Sequence, residues 1–173
     1  KVLTGVIVFT AAAVLTPMGS SAAVPTTAQS YQQVVPLVFD WQASSPAARG
    51  QALERGIGPD NTVSGNCGTS SLYMSKGSSS GHVNFNLSAD SSWWWGPILR
   101  ADWNVHWHNS YTSGSGDEPG GEWWGGGNLW TYTERNVFTR PGYVSANMNY
   151  LRVETATGGV CYGADPGDGG LVG

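Results

Sequence analysis

Apolar and polar residues alternate with a period of two over much of this chain. In PILRADWNVHWHN, Leu99, Ala101, Trp103, Val105 and Trp107 fall on one side, and Arg100, Asp102, Asn104, His106 and His108 on the other. Successive strand side chains face opposite ways, so this pattern predicts a strand with one dry and one wet face. GHVNFNLSAD repeats the rhythm, with Val83, Phe85 and Leu87 set against His82, Asn84 and Asn86. SGNCGTSSLYMSKG predicts a strand ending at Gly77, and NLWTYTERNVF another, which RPG turns into YVSANMNYLRVETATGG. There Val144, Ala146, Met148 and Tyr150 alternate before the apolar set slips to Leu151 and Val153, as a β-bulge would make it do. GGVCYG predicts a short closing strand or the tail of the one before it.

Between these runs lie SKGSSSG, SYTSGSGDEPGGEWWGGGN and TRPG, glycine-rich links expected as surface loops. Roughly five to seven strands with no strong helix predict an all-β domain. The expected architecture is an antiparallel β-sandwich, Ig-like or jelly-roll-like, with a small barrel as the alternative. The domain is expected over residues 61–173. Residues 24–60 read as a leader, pro-segment or linker, because Pro25 and Pro36 limit regular structure and SPAARGQALERG allows at most about two helical turns. VVPLVFDW in this region offers the alternative of a segment that completes the sheet as an edge strand.

Residues 1–23, KVLTGVIVFTAAAVLTPMGSSAA, read as a secretory signal lacking its initiator end, with Lys1 before an apolar stretch from Val2 to Leu15. Cleavage is expected before Val24. The competing membrane anchor would want about 20 apolar residues. The expectation is therefore a secreted, extracellular protein with no membrane attachment after cleavage. In an oxidising space, two cysteines far apart, Cys67 and Cys161, predict one disulfide clipping the start of the domain to its end.

Composition narrows the functional classes. Charged residues make up 12 % of 173 and the formal net charge is −4, so no basic footprint for nucleic acid is present. Nine Trp, seven Tyr and four Phe argue for a folded chain despite 25 Gly. Trp103 and Trp107 belong to the alternating core face. Trp93, Trp94 and Trp95 are consecutive, as are Trp123 and Trp124, and consecutive strand residues cannot all point inward. These five are the candidate ligand-binding residues, for a polysaccharide or a surface protein. The competing reading buries the triplet under GEWWGGGN at one end of the sandwich.

His106 and His108, two apart on one strand face, with His82 if its strand lies alongside, form a weak metal candidate. The solvated polar row already accounts for them, and a zinc site needs further ligands, so no metal and no cofactor is assigned. Asp117, Glu118 and Glu122 beside aromatics suggest a glycoside-type hydrolase as an alternative function, although a glycine-rich loop is a poor platform for such a pair. No G-x-S-x-G elbow is present, and catalytic residues are assigned to none. Asp165 and Asp168 in GADPGDGGLVG read as a solvated tail in preference to a calcium turn. Asn86-Leu87-Ser88 is a glycosylation sequon, relevant only in a eukaryotic secretory route.

VSGNCGTSSLYM and GGVCYGADPGDGG resemble the two ends of small secreted β proteins of actinobacterial type, in which one disulfide joins the ends of a domain that follows a signal peptide. The resemblance spans about residues 61–168, implies compartment and fold class, and carries over no active site. The sequence thus leads to a secreted, non-catalytic β module. A hydrolase, or a surface assembly protein joined through open sheet edges, stands as the alternative.

Overall fold

The computed structural model describes residues 33–59, 65–163 and 165–173. Residues 1–32, which include the expected signal peptide, lie outside the described residues. The fold is all-β, a nearly closed, barrel-like antiparallel sheet. Its strands are β1 (Gln33–Phe39), β2 (Gly68–Lys76), β3 (His82–Ser91), β4 (Ile98–Asn109), β5 (Gly114–Trp123), β6 (Leu129–Phe138), β7 (Gly142–Thr155), β8 (Val160–Gly163) and β9 (Gly167–Val172). The order across the sheet is β5-β4-β7-β8-β1-β2-β3-β6, and β9 pairs with β7 beyond the reach of β8. One α-helix, α1 (Pro46–Glu54), follows β1.

The core is built by the alternation the sequence displays. Ala101, Trp103, Val105 and Trp107 of β4 point inward with Val83, Phe85, Leu87 and Ala89 of β3 and Val144, Ala146 and Met148 of β7. The slip in β7 is a bulge: Asn104 faces Tyr150 while Val105 faces Met148, so Asn149 is the extra residue. Tyr150 consequently lies outside with its ring half-exposed, and Leu151 and Val153 take over the interior. A second irregularity between Ile98 and Arg100 corrects the reading of Leu99. Ile98 is fully buried, and Leu99 is turned out to solvent.

Three expectations are overturned. Residues 33–59 are no leader, because β1 lies between β8 and β2 inside the sheet. Pro36 is tolerated there because it pairs only with Thr69 of β2; the short β8 meets β1 from Leu37 to Phe39, so the missing N–H of Pro36 faces no partner strand. Helix α1 is capped by Ser45, whose hydroxyl accepts from the Ala48 N–H at 3.1 Å, and it opens on Pro46, which needs no donor at that position. Its small residues Ala48 and Ala52 are buried against the core.

The second correction concerns SGSGDEPGGEW, which is strand β5 and not a surface loop. Its inward positions are Gly114, Gly116, Glu118, Gly120 and Glu122, so it carries no apolar side chain of its own to reveal a period of two. The apolar surface comes from its neighbour. The Trp107 and Trp103 rings lie flat against Gly116 and Gly120, where a Cβ would stand 2.8 Å and 2.2 Å from ring carbons. The third correction is the tail, which forms β9. Asp168 is buried, and its carboxylate accepts the Met74 N–H at 2.6 Å and the Gly169 N–H at 2.7 Å, tying β9 to β2.

Cys67, just before β2, is bonded to Cys161 of β8, with Cα atoms 6.1 Å apart. It ties the entry to β2 to β8, the two strands that flank β1. At the end of β1, Phe39 stacks on Trp95 with ring centroids 4.5 Å apart. The Trp95 indole donates to the Asn66 carbonyl at 2.9 Å, and the Asn66 side chain accepts the Phe39 N–H at 2.9 Å.

Candidate binding surface

The three consecutive tryptophans form one turn of 3₁₀ helix, Trp93–Trp95, between β3 and β4. With three residues per turn, successive side chains leave the axis about 120° apart. One therefore points in, one out and one along the surface. Trp95 is fully buried, Trp93 is 75 % exposed, and Trp94 is intermediate. The Arg55 guanidinium, just past α1, lies 5.8 Å from the Trp93 ring centre and 5.3 Å from that of Trp94. A cation over an indole face is attracted by the ring quadrupole and limits where the ring can swing. Gln51 of α1 donates to the Trp94 carbonyl at 3.0 Å, fixing the helix to the turn.

The other pair divides by strand alternation. Trp124 packs against the core, and Trp123 is 71 % exposed on the outer face. The Arg100 guanidinium lies 5.3 Å from the Trp123 ring centre. Arg100 is itself held by Asp102 at 2.8 Å, and Asp102 also meets Arg152 at 3.5 Å, so Trp123 ends a ladder of charges along the outer faces of β4 and β7. The hydrogen bond to Asp102 raises the Arg100 pKa further above its already high value.

The segments bearing the two exposed indoles belong to one end of the barrel. Ser91 N–H donates to the Asn128 carbonyl at 2.8 Å, Ile98 N–H to that of Gly127 at 2.9 Å, and Trp124 N–H to that of Leu99 at 2.7 Å. Of the five candidate tryptophans, then, Trp93 and Trp123 present open rings, Trp94 meets Trp93 edge-on, Trp124 packs against the core, and Trp95 belongs to it. The strand rule correctly forbade all three of the triplet from pointing inward. The turn that sorts them is encoded by Gly96, at φ 70°, and Pro97.

The histidines do not converge. His106 Nδ1 lies 3.1 Å from Asp117 Oδ1 on the outer face of β4 and β5. His108 is exposed two residues on. His82 is on β3, which does not neighbour β4, where its Nδ1 meets the Ser79 hydroxyl at 2.9 Å and its ring packs on Phe138. Among the described residues no three His, Cys, Asp or Glu side chains are grouped to hold a metal ion.

The carboxylates of β5 are separated by the strand itself. Asp117 faces out, where hydrogen bonds from Asn104 and from His106 lower its pKa. Glu118 and Glu122 face in and lie about 13 Å apart along the strand, well beyond the separations of about 5 Å or 6.5–9.5 Å that glycoside hydrolysis uses. Each instead accepts an indole N–H: Trp107 to Glu118 at 3.1 Å and Trp130 to Glu122 at 2.6 Å. The second bond reaches from β6 to β5, the two ends of the strand order, and helps draw the barrel together. Across that seam Trp103 packs on Trp130 and Tyr132, with centroids 5.1 Å and 4.3 Å away. Burial, then the neighbouring Glu134, raises the Tyr132 pKa. Reading β5 as a loop hid this role for Glu118 and Glu122; the clue was glycine at alternate positions beside two large inward rings that need space.

No protein-family model matches this chain, and neither a curated protein nor a solved structure matches it significantly.

Proposed function

We propose that this protein is an exported, non-catalytic module that docks on a polysaccharide through Trp93 and Trp123. One observation carries the reading: two indoles more than 70 % exposed sit at one end of the barrel, each beside a guanidinium supplied by another element. Leaving about 150 Å² of a roughly 200 Å² indole in water forgoes about 4 kcal/mol of burial at about 25 cal/mol per Å². Exposed apolar groups held in place in this way suit a contact surface. A sugar ring offers the matching partner, with C–H faces to lie on the indole and hydroxyls to meet Arg100, Asp102 and Arg55. Export accords with the disulfide and with the apolar stretch in residues 1–23.

The test is co-sedimentation of the purified chain with insoluble cellulose, chitin and bacterial peptidoglycan, repeated for Trp93→Ala and Trp123→Ala. At least one polymer is expected to retain the native chain. Each alanine variant should weaken retention by about tenfold, a loss of about 1.4 kcal/mol, while leaving the unfolding midpoint in place. Failure of all three polymers to retain the native chain, or full retention by both variants, would overturn the reading.

A further inference from the structure

His82 stands apart on β3, but His106 and His108 share a face. Both point outward from β4, on either side of the buried Trp107. We propose that they form an open chelate for a late first-row divalent metal ion, copper(II) before nickel(II) or zinc(II), with the rest of the coordination sphere left to water or an incoming ligand.

The spacing makes the pair. Residues two apart on a strand lie on one face with their Cα atoms about 7 Å apart. Two imidazoles rooted at that separation can lean together over one ion, each with a nitrogen about 2.0–2.1 Å from it. Imidazole suits the later first-row ions, and copper(II) is the tightest bound of them. A closed structural site would take four protein ligands. Two ligands on an open strand face give an exchangeable site instead.

The His106 ring is already set for this role. Its Nδ1 lies 3.1 Å from Asp117 Oδ1. The Asn104 amide donates to the same oxygen at 3.0 Å and to Asn149 Oδ1 at 2.9 Å. Asn149 is the extra residue of the β7 bulge, so linked side chains run from β7 across β4 to β5 and end on the imidazole. Bonds from Asn104 and His106 hold Asp117 in its ionised, accepting form. A carboxylate on Nδ1 selects the tautomer with its proton there and leaves Nε2 as a free acceptor. Metal-bound imidazoles are oriented and made more basic by the same second contact. The His108 ring hydrogen-bonds to nothing among the described residues, so it is free to turn onto the ion.

The surroundings admit a cation. Opposite His106 and His108 stand Asp117 and Ser115 on β5, and Asn147 and Ser145 on β7. β5 is the last strand on its side, and beyond β7 the positions opposite Asn147 and Ser145 are Gly167 and Gly169 of β9. None of these residues is Lys or Arg, and the small serines and glycines leave room for an ion with its water. Arg100, the basic residue of β4, lies near the other end of that strand and is bound to Asp102.

The experiment uses the full chain with its disulfide intact and any histidine tag removed. Copper(II), zinc(II) and magnesium(II) are titrated calorimetrically, and the copper complex is read by electron paramagnetic resonance. The expected result is one copper(II) per chain with two imidazole nitrogens in its hyperfine pattern. Zinc(II) should bind about tenfold or more weaker, and magnesium(II), which takes oxygen ligands, should give no heat. His106→Gln and His108→Gln should each weaken copper binding by about tenfold or more while leaving the unfolding midpoint in place. His82→Gln should change it by less than about twofold. Asp117→Asn should weaken it by about tenfold, the lower end for loss of a group that orients a metal-bound imidazole, with both nitrogens still in the spectrum. No copper binding, native affinity in the double variant His106→Gln/His108→Gln, a spectrum with a single nitrogen, or unchanged affinity with Asp117→Asn would overturn the assignment.

Discussion

Replacing Gly120 by alanine tests the unusual packing of β5 directly. The added methyl would stand 2.2 Å and 2.3 Å from two carbons of the Trp103 ring, where ordinary carbon contacts are about 3.5–4.0 Å. The ring must therefore move by more than about 1 Å, and it is backed by Trp130 and Tyr132 at 5.1 Å and 4.3 Å between centroids. Movement would carry across the seam to the Trp130–Glu122 hydrogen bond. Overpacking of a tight core costs about 1–3 kcal/mol, and a site backed on two sides belongs at the upper end. We expect a loss of about 3 kcal/mol, which at roughly 2–4 °C per kcal/mol for a domain near this size lowers the melting temperature by about 6–12 °C. The assay is urea unfolding followed by tryptophan fluorescence. Gly125→Ala serves as the control, since a Cβ there meets nothing within 4 Å, and it should shift stability by less than about 0.5 kcal/mol. In a Trp103→Phe background the smaller ring should relieve part of the clash, giving a coupling of about 1–2 kcal/mol. If Gly120→Ala unfolds at the native urea midpoint, or costs as much beside Phe as beside Trp, the ring does not rest on β5 and the account of that strand fails.

Two further predictions follow from the disulfide and the outer face. Replacing Cys67 and Cys161, 94 residues apart, by serine should cost about 4–5 kcal/mol in the chain-entropy picture, read from urea midpoints; a loss under about 1 kcal/mol would contradict it. Asp117 should titrate below the ordinary carboxylate range, and Asn104→Ala should bring it back towards that range, as followed by carboxyl NMR shifts. Because the folded chain holds the Asp117 proton less tightly than the unfolded chain, its contribution to stability is present above the ordinary carboxylate pKa and is lost as pH falls through the lowered value. An unshifted midpoint in the native chain would show that the Asn104 and His106 bonds do not form in solution.

How much of this was legible depended on whether an element carried its own apolar side chains. β3, β4 and β7 did, and their interiors and the β7 bulge could be read directly. Leu99 was misplaced because a register irregularity at one end of β4 turns it out in favour of Ile98. β5 was illegible because glycine occupies three of its five inward positions and Trp103 and Trp107 fill the space from the next strand. β1 was legible only as an alternative and as an edge strand because of Pro36, whose missing donor matters only where a strand lies on that side. The triple tryptophan could not be sorted by a period of two because its period is three.

The position of β1 has a consequence for how the chain reaches its native state. β1 is flanked by β2, which follows it after one helix, and by β8, which lies near the other end of the sequence. Its second flank stays bare until almost the whole polypeptide is present, and pairings between distant parts of a chain form slowly. The sheet must therefore finish at the place where it starts, and the cysteine bridge between β8 and the entry to β2 locks that last, longest-range pairing once it is made.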